Sequence, residues 1–402
     1  MVTLADVQAA RARIRESIRV TPSAYSENLT SETGNTILLK LENLHVTGSY
    51  KERGALNGML CMSDQQRAHG VIAASAGNHA QGVAYHAGRL GIRATIVMPL
   101  YTPIVKVSAT QGWGAEVVLH GENFDEALTE ARRRATESGA SFLHAFNDPA
   151  VIAGQGTVGL ELLDQIPDLE AVVVPVGGGG LIAGLGCAIK ETRPNVRIIG
   201  VEPKALPSMT AALAAHHPVE VPTAPTIADG VAVRRVGDLT LALAEKYVDE
   251  MVTVDEEEIA MAILRLLEKQ KTLAEGAGAV GVAALLQKRT SLRGKRTAVV
   301  ISGGNIDVTL LAHIIERGLV KDGRLVRLRV TLSDHPGGLQ RLTAVIAEEH
   351  ANIVQVLHDR TYFGVHLGEA KIDITMETRG SGHAEELMAH LHKAGYIFER
   401  VL

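Results

Sequence analysis

At 402 residues, with 46% hydrophobic and 21% charged residues, the chain is long enough for two or three domains around a substantial core. Forty Lys plus Arg against 45 Asp plus Glu leave a net charge of −5, which gives no basis for binding nucleic acid or an anionic membrane. Two cysteines, Cys61 and Cys187, exclude a disulfide framework, and charge interrupts every apolar run short of a membrane span, so a cytoplasmic location is expected.

Leu4 to Ile18 interleaves Arg13, Arg15 and Glu16 with apolar residues and reads as an amphipathic helix, not a signal peptide. Thr21-Pro22-Ser23 breaks that pattern. Thr36 to Leu41 is a short apolar strand, and Ala55 onward reads as the first turns of a helix. Strands at Gly70–Ala74, Ala94–Met98 and Ala115–Leu119 then alternate with helices at His79–Leu90, Ile104–Gln111 and Phe124–Glu137. The alternation continues through a helix from Pro149 to Ile166 and a Val-rich strand from Glu170 to Val176. After these come a helix from Leu181 to Thr192, a strand from Val196 to Val201, a helix from Glu256 to Gln270 and a strand from Thr297 to Ile301. Such alternation predicts an α/β fold of parallel βαβ units, with a smaller α/β domain over about 55–145 inserted in a larger one within 1–320. At Gly318 to Arg324 the texture changes, and this stretch is expected to link to a separate domain. From 325 to 402 the order is βαββαβ, with Val326, Leu328, Val330 and Leu332 alternating with polar residues, as in a ferredoxin-like unit.

Between the strand ending at Leu41 and the helix near Ala55 lies Thr47-Gly48-Ser49-Tyr50-Lys51-Glu52-Arg53-Gly54. A lysine at such a junction can enter a cleft, lose part of its hydration and become a usable nucleophile and base. Taken alone, Lys51 reads better as part of a solvated Lys-Glu-Arg surface cluster. Three further loops weigh against that. Gly177-Gly178-Gly179-Gly180-Leu181 sits where a strand ends and a helix begins, so consecutive N–H groups can turn toward one anion. It lacks the Gly-Lys-Ser/Thr of a nucleoside-triphosphate loop, and a simple tight turn needs fewer glycines. Ser75-Ala76-Gly77-Asn78-His79 also follows a strand and opens a helix. Its N–H groups and side chains suit a substrate α-carboxylate, and Asn78 suits a phenolic oxygen. Ser302-Gly303-Gly304-Asn305 follows a buried strand, and a neutral Ser302 hydroxyl facing a pyridine nitrogen favours loss of a β leaving group. Together the loops describe a pocket for pyridoxal phosphate, with Lys51 as its covalent anchor.

These motifs, with Val151 to Thr157, Thr226 to Gly230 and Ala274 to Gly278, resemble the threonine dehydratases (threonine ammonia-lyases) of pyridoxal-phosphate fold type II, the tryptophan synthase β-like fold. The resemblance covers about residues 1–320. Residues beyond it resemble an ACT domain, whose effector loop matches Asp334-His335-Pro336-Gly337-Gly338-Leu339. The resemblance implies Lys51 as the catalytic amine and Tyr50, Asn78, Gly177 to Leu181, Gly230 and Ser302 as cofactor contacts. It implies Ser75 to His79 as the substrate loop, and Asp334, Pro336, Gly337 and Leu339 as effector contacts. It further implies deamination of L-threonine to 2-oxobutanoate and ammonia (or of L-serine to pyruvate), an amino-acid effector, a homo-oligomer and no bound metal. One departure is visible: Tyr50 replaces the family's usual Phe. Two positions speak against serine racemase, the first being Ala76, where a serine racemase has its second acid/base. Glu202 is followed six residues later by Ser208, where the racemases' metal site has Asp. Serine racemase and 3-hydroxyaspartate ammonia-lyase remain the alternatives within the fold.

Overall fold

Short β-branched runs separated by helices become parallel strands in the computed structural model, which describes residues 1–359, 366 and 368–401. The chain divides into two compact units, Met1–Ile306 and Asp307–Leu402. In the first, the strands run β1 (Ser23–Tyr25), β2 (Thr36–Leu41), β3 (Val71–Ala74), β4 (Ala94–Met98), β5 (Glu116–Leu119) and β6 (Ser141–Phe142). They continue as β7 (Ala171–Pro175), β8 (Arg197–Pro203), β9 (Glu250–Val254) and β10 (Arg296–Ile301). The second unit carries β11 (Leu325–Ser333), β12 (Asn352–Asp359), β13 (Glu369–Glu377) and β14 (Ile397–Val401).

The larger sheet of the first unit has the order β1-β2-β10-β7-β8-β9, parallel throughout except for β1. Every residue of β7 is buried, because helices cover both sheet faces and its Val run needs no polar side. The smaller sheet, β5-β4-β3-β6, is all parallel and is packed by the helices Asn78–Leu90 and Phe124–Ser138. Each sheet has its own apolar core. Val172, Val174, Ile182 and Leu185 centre one, and Ala73, Val83, Ile96 and Met98 the other. The site therefore draws on two α/β layers whose strands end at loops rather than on one continuous sheet.

The second unit folds as an antiparallel sheet in the order β12-β13-β11-β14, with the helices Gly338–Glu348 and Ser381–Lys393. Val326, Leu328 and Val330 pack with Leu342, Ile346, Leu387 and Leu391, so the period-2 pattern of β11 marks its buried face. This is the βαββαβ arrangement expected of the ferredoxin-like unit, although residues 360–365 and 367 of that stretch lie outside the described residues.

Most boundaries fall within two residues of the sequence reading, and three differ by more. The N-terminal helix stops at Ile14 rather than Ile18. The helix after the lysine junction begins at Lys51 itself. The stretch expected as a linker is helical up to Lys321, as the end of Val308–Lys321, and the division between units falls earlier, at Ile306. Glycine and charge in a last helical turn look like a linker until the helix is seen to continue through them.

Candidate active site

Lys51 is the first residue of its helix, with Tyr50 at the N-cap. The approach turns at Gly48, whose φ of +75° and contact with the Asn305 side chain leave no room for a Cβ. Lys51 Nζ donates to the Ala145 carbonyl at 3.1 Å and lies 5.2 Å from the centre of the Tyr50 ring. Desolvation, opposed in part by the Glu275 carboxylate, brings the amine down to about 8. Two imidazoles beside it stay neutral: His79 falls to about 3 and His144 to about 4, chiefly through burial, with the Lys51 charge adding to both. The helix is fixed from behind by a buried ion network. Arg53 donates to Glu42 at 2.7 Å and to Glu161 at 2.6 Å, and Lys40 donates to Glu161 at 2.6 Å.

The tetraglycine loop leads from β7 into the helix Gly180–Lys190, and Gly179, at φ +90°, is the N-cap. That helix's first internal bond runs from the Ala183 N–H to the Gly179 carbonyl, so the N–H groups of Gly180, Leu181 and Ile182 have no helical partner. Side chains are sterically barred here. A Cβ on Gly178 would overlap the Phe146 ring, and one on Gly177 would lie 2.9 Å from Val231 Cα. Thr240 Oγ1 donates to the Gly178 carbonyl at 2.7 Å and pins the loop.

Asn78 opens the helix Asn78–Leu90, behind a Gly77 N-cap whose N–H donates to Ser75 Oγ at 3.2 Å. Its side-chain amide is held at both ends. Asn78 Nδ2 donates to Glu275 Oε1 at 2.6 Å, and Asn78 Oδ1 accepts from Asn305 Nδ2 at 2.7 Å. Asn305 Nδ2 also donates to the Thr47 carbonyl at 2.7 Å. Ser302, buried at the end of β10, accepts the Tyr50 N–H on its carbonyl at 3.1 Å. Gly230 approaches Glu275 and Ala277, so a Cβ there would lie 3.0 Å from that of Ala277. Contacts through Ala145, Phe146, Val231 and Glu275 thus draw Lys51, the tetraglycine loop, Asn78, Gly230 and Ser302 toward one region of the first unit.

Residues 14–303 match the family described as pyridoxal-phosphate dependent enzyme, and residues 322–399 match the ACT domain. This chain belongs to the pyridoxal-phosphate dependent enzymes. An L-threonine ammonia-lyase of Thermotoga maritima is 52% identical over 396 residues, covering 98% of each chain. The processed form of threonine deaminase isoform 2 from Solanum lycopersicum superposes with a TM-score of 0.74 at 39% identity, over 78% of this chain and 86% of that one. Maize serine racemase superposes with a TM-score of 0.75 at 33% identity, over 80% of this chain and 98% of that one.

The cleft fits pyridoxal phosphate on its own geometry. It offers a buried amine of lowered pKa, a glycine loop packed too closely for side chains with its N–H groups at a helix start, and an Asn78 amide fixed by Glu275. Of the substrate loop, His79 lies deeper than a ligand-facing residue: its Nε2 bonds the Leu143 carbonyl at 3.0 Å, and it carries no charge to offer a carboxylate. Glu202 is saturated by the N–H groups of Met209 and Thr210 and the Thr210 hydroxyl, so it acts as a helix-start anchor. Asp334, Pro336, Gly337 and Leu339 all fall in the second unit, from the end of β11 into the first turn of the helix Gly338–Glu348, with Gly337 at φ +88° as its N-cap. Sequence reasoning missed Phe146, Thr240 and the part played by Glu275. The only local signal was that Glu275 belongs to a motif to which no function was attached.

Proposed function

We propose that this enzyme deaminates L-threonine by β-elimination, releasing 2-oxobutanoate and ammonia, and turns L-serine into pyruvate by the same route. The observation that carries the reading is a desolvated Lys51 amine, brought down to about 8 so that far more of it is unprotonated near neutral pH than of a solvated lysine. The loop that opens the Asn78 helix carries Ala76 in place of a second acid/base. The names of the full-length relatives support the substrate. Pyridoxal phosphate, when bound, supplies the electron withdrawal that makes the amino acid's α-proton removable.

The chain's own residues do the rest. The N–H groups of Gly180 and Leu181, with the neighbouring glycines, hold the phosphate, aided by the helix dipole. Ser75, Ala76, Gly77 and Asn78 bring the N-terminus of their helix to the substrate carboxylate, which sets the α-carbon against Lys51. Lys51 Nζ takes the α-proton. Tyr50 covers one side of the site, and Ser302 offers a neutral hydroxyl. With Ala76 opposite, no side chain of this loop returns a proton to the other face of the α-carbon, which favours elimination over racemisation. ACT-domain residues Asp334, Pro336, Gly337 and Leu339 are proposed to take an amino-acid effector.

Lys51→Ala is expected to abolish 2-oxobutanoate release from L-threonine while the far-ultraviolet circular dichroism stays unchanged. Turnover by that variant above a no-enzyme control would refute the assignment. Similarity to maize serine racemase makes racemisation the second reading. Deuterium entering Cα of recovered L-serine at a rate matching pyruvate release would favour it.

A further inference from the structure

Glu275 is the N-cap of the helix Gly276–Leu286, yet its side chain makes no capping bond to that helix. A residue at an N-cap ordinarily spends its acceptor on the helix's own first N–H groups. Here the carboxylate instead crosses to the start of the Asn78 helix, 197 positions away in sequence, and accepts from Asn78 Nδ2 at 2.6 Å. Room is made for it. A Cβ on Gly303 would strike Glu275 Oε1, so the Ser302-Gly303-Gly304-Asn305 loop is open at that position in order to seat the carboxylate. The Glu275 N–H in turn donates to the Gly303 carbonyl at 3.1 Å.

Donor counting gives this contact a consequence. Asn305 Nδ2 spends its two hydrogens on the Thr47 carbonyl and Asn78 Oδ1. Asn78 Nδ2 spends one of its two on Glu275. A backbone carbonyl, which only accepts, and a carboxylate, which only accepts while it is ionised, therefore terminate the chain at its two ends and hold both amides in one orientation. We propose that Glu275 is a positioning residue for the cofactor: it fixes the Asn78 amide so that one N–H remains to face the cleft beside Lys51. The inference rests on the reading of Lys51 and Asn78 as cofactor residues. It goes beyond that reading in assigning Glu275 and the open Gly303 to the same device.

The device is sensitive to pH. Burial raises Glu275 to about 7; the Asp229 charge adds to this, while the Asn78 bond, Lys106 and Lys51 oppose it. The groups facing it are Lys51 and Tyr50 at the start of the Lys51 helix, Asn78, and the Asp229–Lys106 ion pair. Ionised, Glu275 grips Asn78 through a charge-assisted bond; protonated, it grips weakly. Cofactor setting should thus tighten as pH rises through 7.

The test uses the full-length holoenzyme and reads the visible absorbance of the bound cofactor from acid to alkaline pH, together with cofactor retention on dialysis. The parent should show an inflection near pH 7 that E275Q lacks and E275D keeps. E275Q still presents an acceptor to Asn78 and should retain cofactor within about threefold of the parent, while E275A should bind it about tenfold or more weakly. An inflection that persists in E275Q, its loss in E275D, or parental retention in E275A would each overturn the proposal. If these results hold while L-threonine yields no 2-oxo acid, the proposed substrate falls and the role of Glu275 stands.

Discussion

Lys51 Nζ lies within hydrogen-bond reach of the Ala145 carbonyl, and the next residue, Phe146, fills the space that side chains on Gly178 and Gly180 would need. The segment between the two sheets is therefore the shared wall of the amine and the phosphate cradle. Gly178→Ala drives a methyl into the Phe146 ring and should lower cofactor retention about tenfold or more, read by dialysis against free cofactor, since overpacking costs about 1–3 kcal/mol. Gly112→Ala, where a Cβ meets nothing within 4 Å, is the control and should leave retention unchanged. Glu275 makes a second prediction at this scale. Its folded pKa is raised, from 4.5 to about 7, so its contribution to stability is full below pH 4.5 and is lost as pH rises through 7. Ionised and buried, it costs up to about 3 kcal/mol. In cofactor-depleted protein, Glu275→Gln should melt higher than the parent at pH 8, and that advantage should be largely gone by pH 5.

The Lys51 helix is held by charge rather than by apolar packing alone. Arg53, 1% exposed, bridges Glu42 on the segment after β2 and Glu161 on the helix Pro149–Gln165, and Lys40 completes the set. Two cations and two carboxylates balance. Burial works to raise Glu42, but Arg53 and His45 outweigh it and hold its carboxyl well below the usual range. Arg53→Met leaves Glu42 and Glu161 buried with Lys40 as the remaining cation of the set, so a loss of about 3–5 kcal/mol in stability is expected. Differential scanning calorimetry would check it, and a melting temperature within a degree of the parent's would show the network to be dispensable. The same variant should lose activity before it unfolds, because the N-terminal turn of that helix carries the amine.

Across the whole molecule, the residues proposed for the catalytic cleft all lie within Met1–Ile306, and the second unit, from Asp307, contains the ACT domain match at residues 322–399. A chain ended after Gly323 keeps every cleft residue and the helix Val308–Lys321. It should retain pyridoxal phosphate and turn over L-threonine at a rate of the same order as the full chain. What it should lose is any change in KM on adding isoleucine or valine, because an effector acts only by binding one state better than another. A truncated enzyme with an unchanged effector response would remove the second unit from regulation.

Local pattern determined a good deal. Thr36–Leu41, Ala94–Met98 and Glu256–Gln270 fall residue for residue where periodicity predicts them, because a period of 2 or 3.6 is carried by neighbouring side chains. The glycine cradle and the lysine junction were legible for the same reason: each function lies within a few consecutive residues. The helix Gly276–Leu286 was not legible, since a run of Gly, Ala and Val has no polar face when it is buried all round. Nor was the network Thr47–Asn305–Asn78–Glu275, whose members come from four separate stretches. They meet because β10 pairs with both β2 and β7, bringing the Ser302 to Asn305 loop to the lysine junction. Hydrogen-bond partners so distant in sequence leave no periodic trace in it; strand order alone brings them together.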